Sequence, residues 1–212
     1  MKRVNLFCGH YGSGKTNVAV NFAFYLKKQG CDVAIADIDI VNPYFRTKDS
    51  EKELRAAGID VISLPFANSN VDLPALPPEV YSLVHNKSKT AVFDVGGDDR
   101  GAYALGRYAP YILEENDFDM FFVVNFCRPL TVTAEEAFSV MKEIEAACGI
   151  PFTAIVNNSN LGQETTAEGI EKWKKEAERL NRLSGLPVAL TTAEERLCTG
   201  DMFPLKLQPK IF

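Results

Sequence analysis

A chain of 212 residues with 46% hydrophobic and 24% charged residues can bury one sizeable core, and its composition excludes a disordered or fibrous protein. The formal net charge of -5 gives no basic footprint for sequence-independent nucleic-acid binding. Five scattered cysteines without a C-x-x-C pair, a short N-terminal apolar stretch and no run of membrane-spanning length predict a single cytoplasmic domain over residues 1–212 with reduced thiols.

In chain order, apolar β-branched runs alternate with longer segments of helical period, the pattern of a mostly parallel sheet with helices on both faces. Seven strands are predicted, at 4–8, 33–37, 60–63, 91–95, 120–125, 152–157 and 187–191. Helices are predicted between them at 15–29, 51–57, 79–84, 101–115, 133–147 and 166–183, several stopped by glycine at Gly30, Gly58, Gly149 and Gly185. The expected architecture is a three-layer α/β fold.

The first strand runs directly into Gly9-His10-Tyr11-Gly12-Ser13-Gly14-Lys15-Thr16, which satisfies G-x-x-x-x-G-K-[ST] in the strand-to-helix context that the motif requires. Glycines let the backbone wrap phosphate oxygens with its N–H groups pointing inward, and the helix N-terminus adds positive potential. Gly9, Gly12, Ser13, Gly14 and Asn17 are therefore expected to hold the phosphates. Lys15 is expected to reach the β- and γ-phosphates, and the Thr16 hydroxyl to coordinate Mg²⁺.

Hydrolysis needs acids as well, to order the metal and the attacking water. The second strand ends in Asp37-Ile38-Asp39 and the fourth in Asp94-Val95-Gly96-Gly97, at the carboxyl ends that form the ligand crevice of an open α/β sheet. Asp94 is the expected Walker B acid on Mg²⁺, and Gly97 offers its N–H to the γ-phosphate. Asp37 and Asp39 are set roughly 7 Å apart along an extended strand, so they have different tasks. Asp39 is assigned with Lys15 to catalysis, positioning the attacking water, and Asp37 to the metal. The alternative for all three acids is a turn or cap, for Asp37 and Asp39 the turn leading to Asn42-Pro43.

Farther along, Pro65, Pro74, Pro77 and Pro78 mark residues 64–78 as a surface loop, a flap or a plain connection. The tail 203–212, interrupted by Pro204 and Pro209, reads as an irregular segment packed on the domain. Cys127 reads as an inert thiol.

With these residues placed, the chain resembles the MinD/ParA-like ATPases, a group that includes the nitrogenase iron protein and cobyrinate amidotransferase relatives. The likeness rests on Gly9–Thr16, the helix after it, the segment 33–46 with its D-x-D and Asn42-Pro43, and Asp94-Val95-Gly96-Gly97-Asp98. It implies that the P-loop and Walker B strands are neighbours and that ATP is bound across a face-to-face dimer. Two features depart from the family: His10 stands where many members carry an additional lysine, and Tyr11 where a glycine is frequent. No cysteine follows Asp98 soon enough for a bridging iron–sulfur cluster. The resemblance also implies that Asn157, at the end of the sixth strand, reads adenine through its amide; Asn157-Asn158-Ser159-Asn160 lacks the lysine and aspartate of the guanine-reading N-K-x-D. Thr191-Thr192-Ala193 is expected on the other side of the base.

The function expected is a Mg²⁺-dependent ATPase that switches a protein partner or a homodimer. The alternative is an ATP-dependent ligase or phosphotransferase resembling dethiobiotin synthetase or cobyrinate amidotransferase, for which Arg46, Arg100 and Arg128 are the available basic residues. A GTP-driven metal-insertion chaperone is a remote third, since His10, His85 and the dispersed cysteines form no metal motif.

Overall fold

A computed structural model describes residues 2–39, 47–63, 78–97 and 99–207. Asn42-Pro43, Arg46, the side chain of Arg100, Asp98, most of the proline-rich stretch and the end of the tail lie outside the described residues. The strands are β1 (Val4–Cys8), β2 (Val33–Ile38), β3 (Asp60–Ser63), β4 (Thr90–Val95), β5 (Phe118–Val124), β6 (Ala154–Asn157), β7 (Val188–Glu194) and β8 (Phe203–Leu205). They pair in parallel in the spatial order β3-β2-β4-β1-β5-β6-β7-β8. The helices are α1 (Lys15–Lys28), α2 (Glu51–Ala56), α3 (Pro78–His85), α4 (Asp99–Gly106), α5 (Ala109–Glu115), α6 (Ala134–Cys148) and α7 (Ala167–Ser184).

Alternation along the strands creates the three layers. Leu6, Ala36, Phe93 and Phe122 face one way and pack with Val80, Leu105, Met141 and Trp173 from α3, α4, α6 and α7. Phe7, Ile35, Val92 and Phe121 face the other way, onto Val18, Phe22 and Leu26 of α1 and Leu54 of α2. Because both faces are covered, every residue of β1 is buried and the strand reads as a nearly unbroken apolar run. Phe7 and Phe121 stack with ring centroids 4.9 Å apart, which ties the two strands together at the end that carries the P-loop. Among the described residues, no helix is long and apolar enough to cross a membrane.

Two elements differ from expectation for local reasons. The helix expected over 101–115 is broken into α4 and α5, because the ring of Pro110 would strike the carbonyl four residues earlier, at Gly106. Pro110 is instead accommodated in the first turn of α5. The tail expected to be irregular adds the eighth strand, with Phe203 to Leu205 paired against Thr192 to Glu194. Three residues are too few to show a period, and Pro204 is tolerated on an edge strand whose outer N–H needs no partner.

Candidate functional site

Strand parity brings the acids together. Asp37 and Asp94 are register partners at the ends of β2 and β4, and each lies two residues beyond an apolar residue packed on the α1 side, Ile35 and Val92. Their side chains therefore emerge beneath α1. On the other side of β4, Phe7 of β1 pairs with Asp94, and two residues later β1 releases the chain into the P-loop. A Cβ at Gly9 would sit 2.1 Å from the Val123 carbonyl oxygen, and one at Gly97 would sit 2.5 Å from the Gly9 carbonyl oxygen. The loops after β1 and β4 are thus in backbone contact.

The start of α1 is built unlike those of α6 and α7. Thr133 and Thr166 cap the latter two by accepting from the N–H groups of Glu136 and Gly169, and each helix has glutamate in its first turn. Helix α1 has Gly14 at its cap with φ of 82°, no side-chain cap and no acid in its first turn. Its free N–H groups and the positive end of its dipole can receive an anion.

Beneath this turn lies a buried charge cluster. Lys15 Nζ is 2.9 Å from Asp39 Oδ2, and the two side chains are 4% and 5% exposed. Burial pulls the Lys15 pKa down, but Asp94 and Asp39 together outweigh it, so the ammonium is held above its ordinary value and stays charged. Burial pushes the Asp94 carboxyl up to about 6 against the attraction of Lys15 and the hydrogen bonds from Thr16 and Thr47. Thr47 Oγ1 donates to Asp94 Oδ2 at 3.2 Å, while Asp94 Oδ1 is buried with no hydrogen-bond partner among the described residues. An orphaned carboxylate oxygen is costly, and beside the Thr16 hydroxyl it fits a hard cation that prefers oxygen ligands. Among the described residues no group of three or more His, Cys, Asp or Glu forms a metal centre by itself. Asp37 Oδ1 accepts the Asp39 N–H at 3.1 Å and so fixes the backbone from which Asp39 reaches Lys15.

A cavity of about 380 Å³ opens beside the first turn of α1. Gly14 and Asn17 form one wall, residues 158–162 and 192–194 another, and Leu205 and Leu207 an apolar third. Of the expected Thr191-Thr192-Ala193, Thr192 and Ala193 line it and Thr191 does not. Asn157 does not line it: its Oδ1 accepts from the Ser159 N–H at 3.2 Å and the Ser159 hydroxyl at 2.7 Å, closing the turn after β6. The neighbouring Asn158, absent from the sequence expectations, binds the P-loop. Its Nδ2 donates to the Ser13 carbonyl at 2.7 Å and its Oδ1 accepts the Thr192 hydroxyl at 2.6 Å, and it lies so close that a Cβ at Gly14 would be 2.3 Å from Nδ2. Asn158→Ala removes the amide donor from the Ser13 carbonyl and the shorter of the two bonds of the Thr192 hydroxyl, and is expected to cost about 1–3 kcal/mol in urea unfolding. An unchanged midpoint would remove Asn158 from the support of the loop. Arg128, after β5, also reaches the P-loop, with Nε donating to the Gly12 carbonyl at 3.2 Å.

No protein-family model and no curated protein matches this chain. Solved structures do match. The cell division protein FtsY of Thermotoga maritima superposes with a TM-score of 0.65 at 16% identity, over 96% of this chain and 65% of that one. The signal recognition particle 54 kDa protein of Aeropyrum pernix, in complex with GDP, gives 0.57 at 16% identity over 89% of this chain and 40% of that one. The chain has the three-layer α/β P-loop fold. A nucleotide-binding protein of Archaeoglobus fulgidus in complex with ADP gives 0.50 at 16% identity over 90% and 80%. The chain spans less than two thirds of the length of the two signal-recognition-type structures. These matches correct the expected MinD/ParA-like membership, since they include several structures of the signal-recognition type. The strongest part of that resemblance, Gly9–Thr16 followed by a helix, is the general phosphate-binding motif and does not separate families.

Proposed function

We propose that this chain binds a Mg²⁺·nucleoside triphosphate and hydrolyses it, with ATP as the nucleotide. The observation that carries the proposal is the buried cluster of Lys15, Thr16, Asp39 and Asp94 under an uncapped, glycine-led helix N-terminus, with one Asp94 oxygen lacking a partner among the described residues. Gly9, Gly12, Ser13, Gly14 and Asn17 surround the phosphates with backbone N–H groups, Lys15 neutralises the β- and γ-phosphates, and Gly97 lies against the loop from the β4 side. Thr16 and Asp94 would hold Mg²⁺, with Asp37 behind them; the ion supplies charge neutralisation on the phosphate chain. Asp39 orients the attacking water once phosphate has taken its place on Lys15.

The cavity supports adenine. Asn160 stands where a guanine reader carries aspartate, and its amide is already engaged, donating to the Asn158 carbonyl at 2.8 Å and accepting the Gly162 N–H at 3.1 Å. A second reading, GTP, is favoured by Glu194 in the cavity wall, a carboxylate now bound by Arg196 at 2.9 Å, and by the GDP bound to a neighbouring structure. Phosphate release from ATP and from GTP, with and without Mg²⁺, tests both readings. The proposal predicts Mg²⁺-dependent release with ATP preferred; release from neither nucleotide, or equal release in EDTA, would sink it.

Switching of an assembly is part of the same proposal. Tyr11 is 57% exposed and Leu130 62%, on the two loops that meet at the Gly12–Arg128 contact, and they offer an apolar face to a second copy of the chain. Light scattering should report a larger mass with Mg²⁺·ATP than with ADP, and Tyr11→Ser should abolish the difference.

A further inference from the structure

The structure assigns to Arg128 a role that the sequence motif does not contain: we infer that its guanidinium binds the nucleotide's phosphate chain within the same subunit, from outside the P-loop. The inference rests on the nucleotide reading given above and adds a ligand to that site.

The loop that presents Arg128 is rigid. Asn125 Oδ1 accepts the N–H groups of Cys127 and Asn160 at 3.0 and 3.3 Å, and the Asn125 carbonyl accepts both the Arg128 N–H at 3.0 Å and the Thr131 hydroxyl at 2.9 Å. The Thr131 N–H returns to the Arg128 carbonyl at 3.2 Å, and the Phe126 N–H donates to Ser159 Oγ at 2.9 Å. A long flexible side chain on such a base loses less freedom when it binds than one on a mobile loop.

From that base the side chain lies along Gly12. A Cβ at Gly12 would be 3.5 Å from both Cδ and Nε of Arg128, and Nε donates to the Gly12 carbonyl at 3.2 Å. This single bond uses Nε, no bond from either Nη is made among the described residues, and the exposed side chain lines the cavity together with Gly14 and Asn17. Among the described residues no carboxylate pairs with Arg128, although Arg3, Arg55, Arg179 and Arg196 each have one. A guanidinium held by a carbonyl, open on its outer edge and next to N–H groups that cradle phosphate, matches phosphate geometry bidentately.

Fluorescence titration of the full chain with Mg²⁺·ATP, Mg²⁺·ADP and Mg²⁺·GTP, at two salt concentrations, tests this for wild type, Arg128→Ala and Arg128→Lys. Loss of a charge-assisted contact predicts that Arg128→Ala weakens ATP and ADP by a similar factor, roughly tenfold to a hundredfold. The factor should be the same for whichever bases bind, Arg128→Lys should recover part of it, and the salt dependence of Kd should become shallower in the alanine variant. The thermal midpoint of each unliganded variant accompanies the titration, since the Gly12 contact alone would change stability without affinity. Equal affinity of wild type and Arg128→Ala would overturn the assignment and leave the nucleotide reading standing. A loss confined to one base would place the contact on the base edge and also overturn it. Silence of the wild-type protein itself with all three nucleotides would overturn the nucleotide reading and this inference together.

Discussion

Lys15→Ala is expected to lower triphosphate affinity by a factor of about a hundred to a thousand, the sum of two charge-assisted contacts to phosphate. The same substitution has a second, ligand-free consequence. Lys15 is the cation between Asp39 and Asp94, and removing one member of a buried ionic cluster costs about 3–5 kcal/mol, because the two carboxylates lose the positive charge that faces them. The unliganded variant should therefore unfold at lower urea than wild type. Lys15→Ala combined with Asp39→Ala should recover part of that loss, and a double-mutant cycle measures the coupling directly. If the two single substitutions were additive, the contact at 2.9 Å would carry no energy and Lys15 would be stabilised by Asp94 alone.

Asp39→Asn is expected to separate binding from turnover. In the unliganded site Asp39 occupies the ammonium that the phosphates must take, so neutralising it removes a competitor and a negative charge from a pocket that receives a polyanion. Affinity for Mg²⁺·ATP should be retained or become several-fold tighter. Turnover should fall by about a hundredfold to ten-thousandfold, the range for losing a group that positions or activates the attacking water. Single-turnover hydrolysis at saturating nucleotide reads the second quantity and an equilibrium titration the first. A parallel fall in both would reduce Asp39 to a brace for Lys15.

The parts of the site that were legible in the sequence are those specified by a contiguous stretch. Gly9 to Asn17 announces its loop because the turn, the charge and the helix start are encoded within nine residues. Asp94 could be placed beside it because a parallel sheet puts strand ends on one edge. What escaped is long-range or set by parity. Asn158 contacts the loop because it lies one residue beyond Asn157, and a single step along an extended chain reverses the side-chain direction. Arg128 meets Gly12 across 116 residues, and nothing in Asn125-Phe126-Cys127-Arg128-Pro129 encodes that meeting. The break between α4 and α5 was readable from Gly106 and Pro110, whereas β8 owes its existence to the free edge of β7. The family could not be read at all, since the motif and its acids are shared across P-loop proteins.

Isothermal titration of the folded wild-type chain with Mg²⁺·ATP and, separately, with Mg²⁺·GTP reaches the foundation of this account. It predicts saturable heat at one nucleotide per chain, stronger for ATP, and weakened when EDTA removes the ion. No heat from either nucleotide, with the protein shown to be folded in the same buffer, would contradict it.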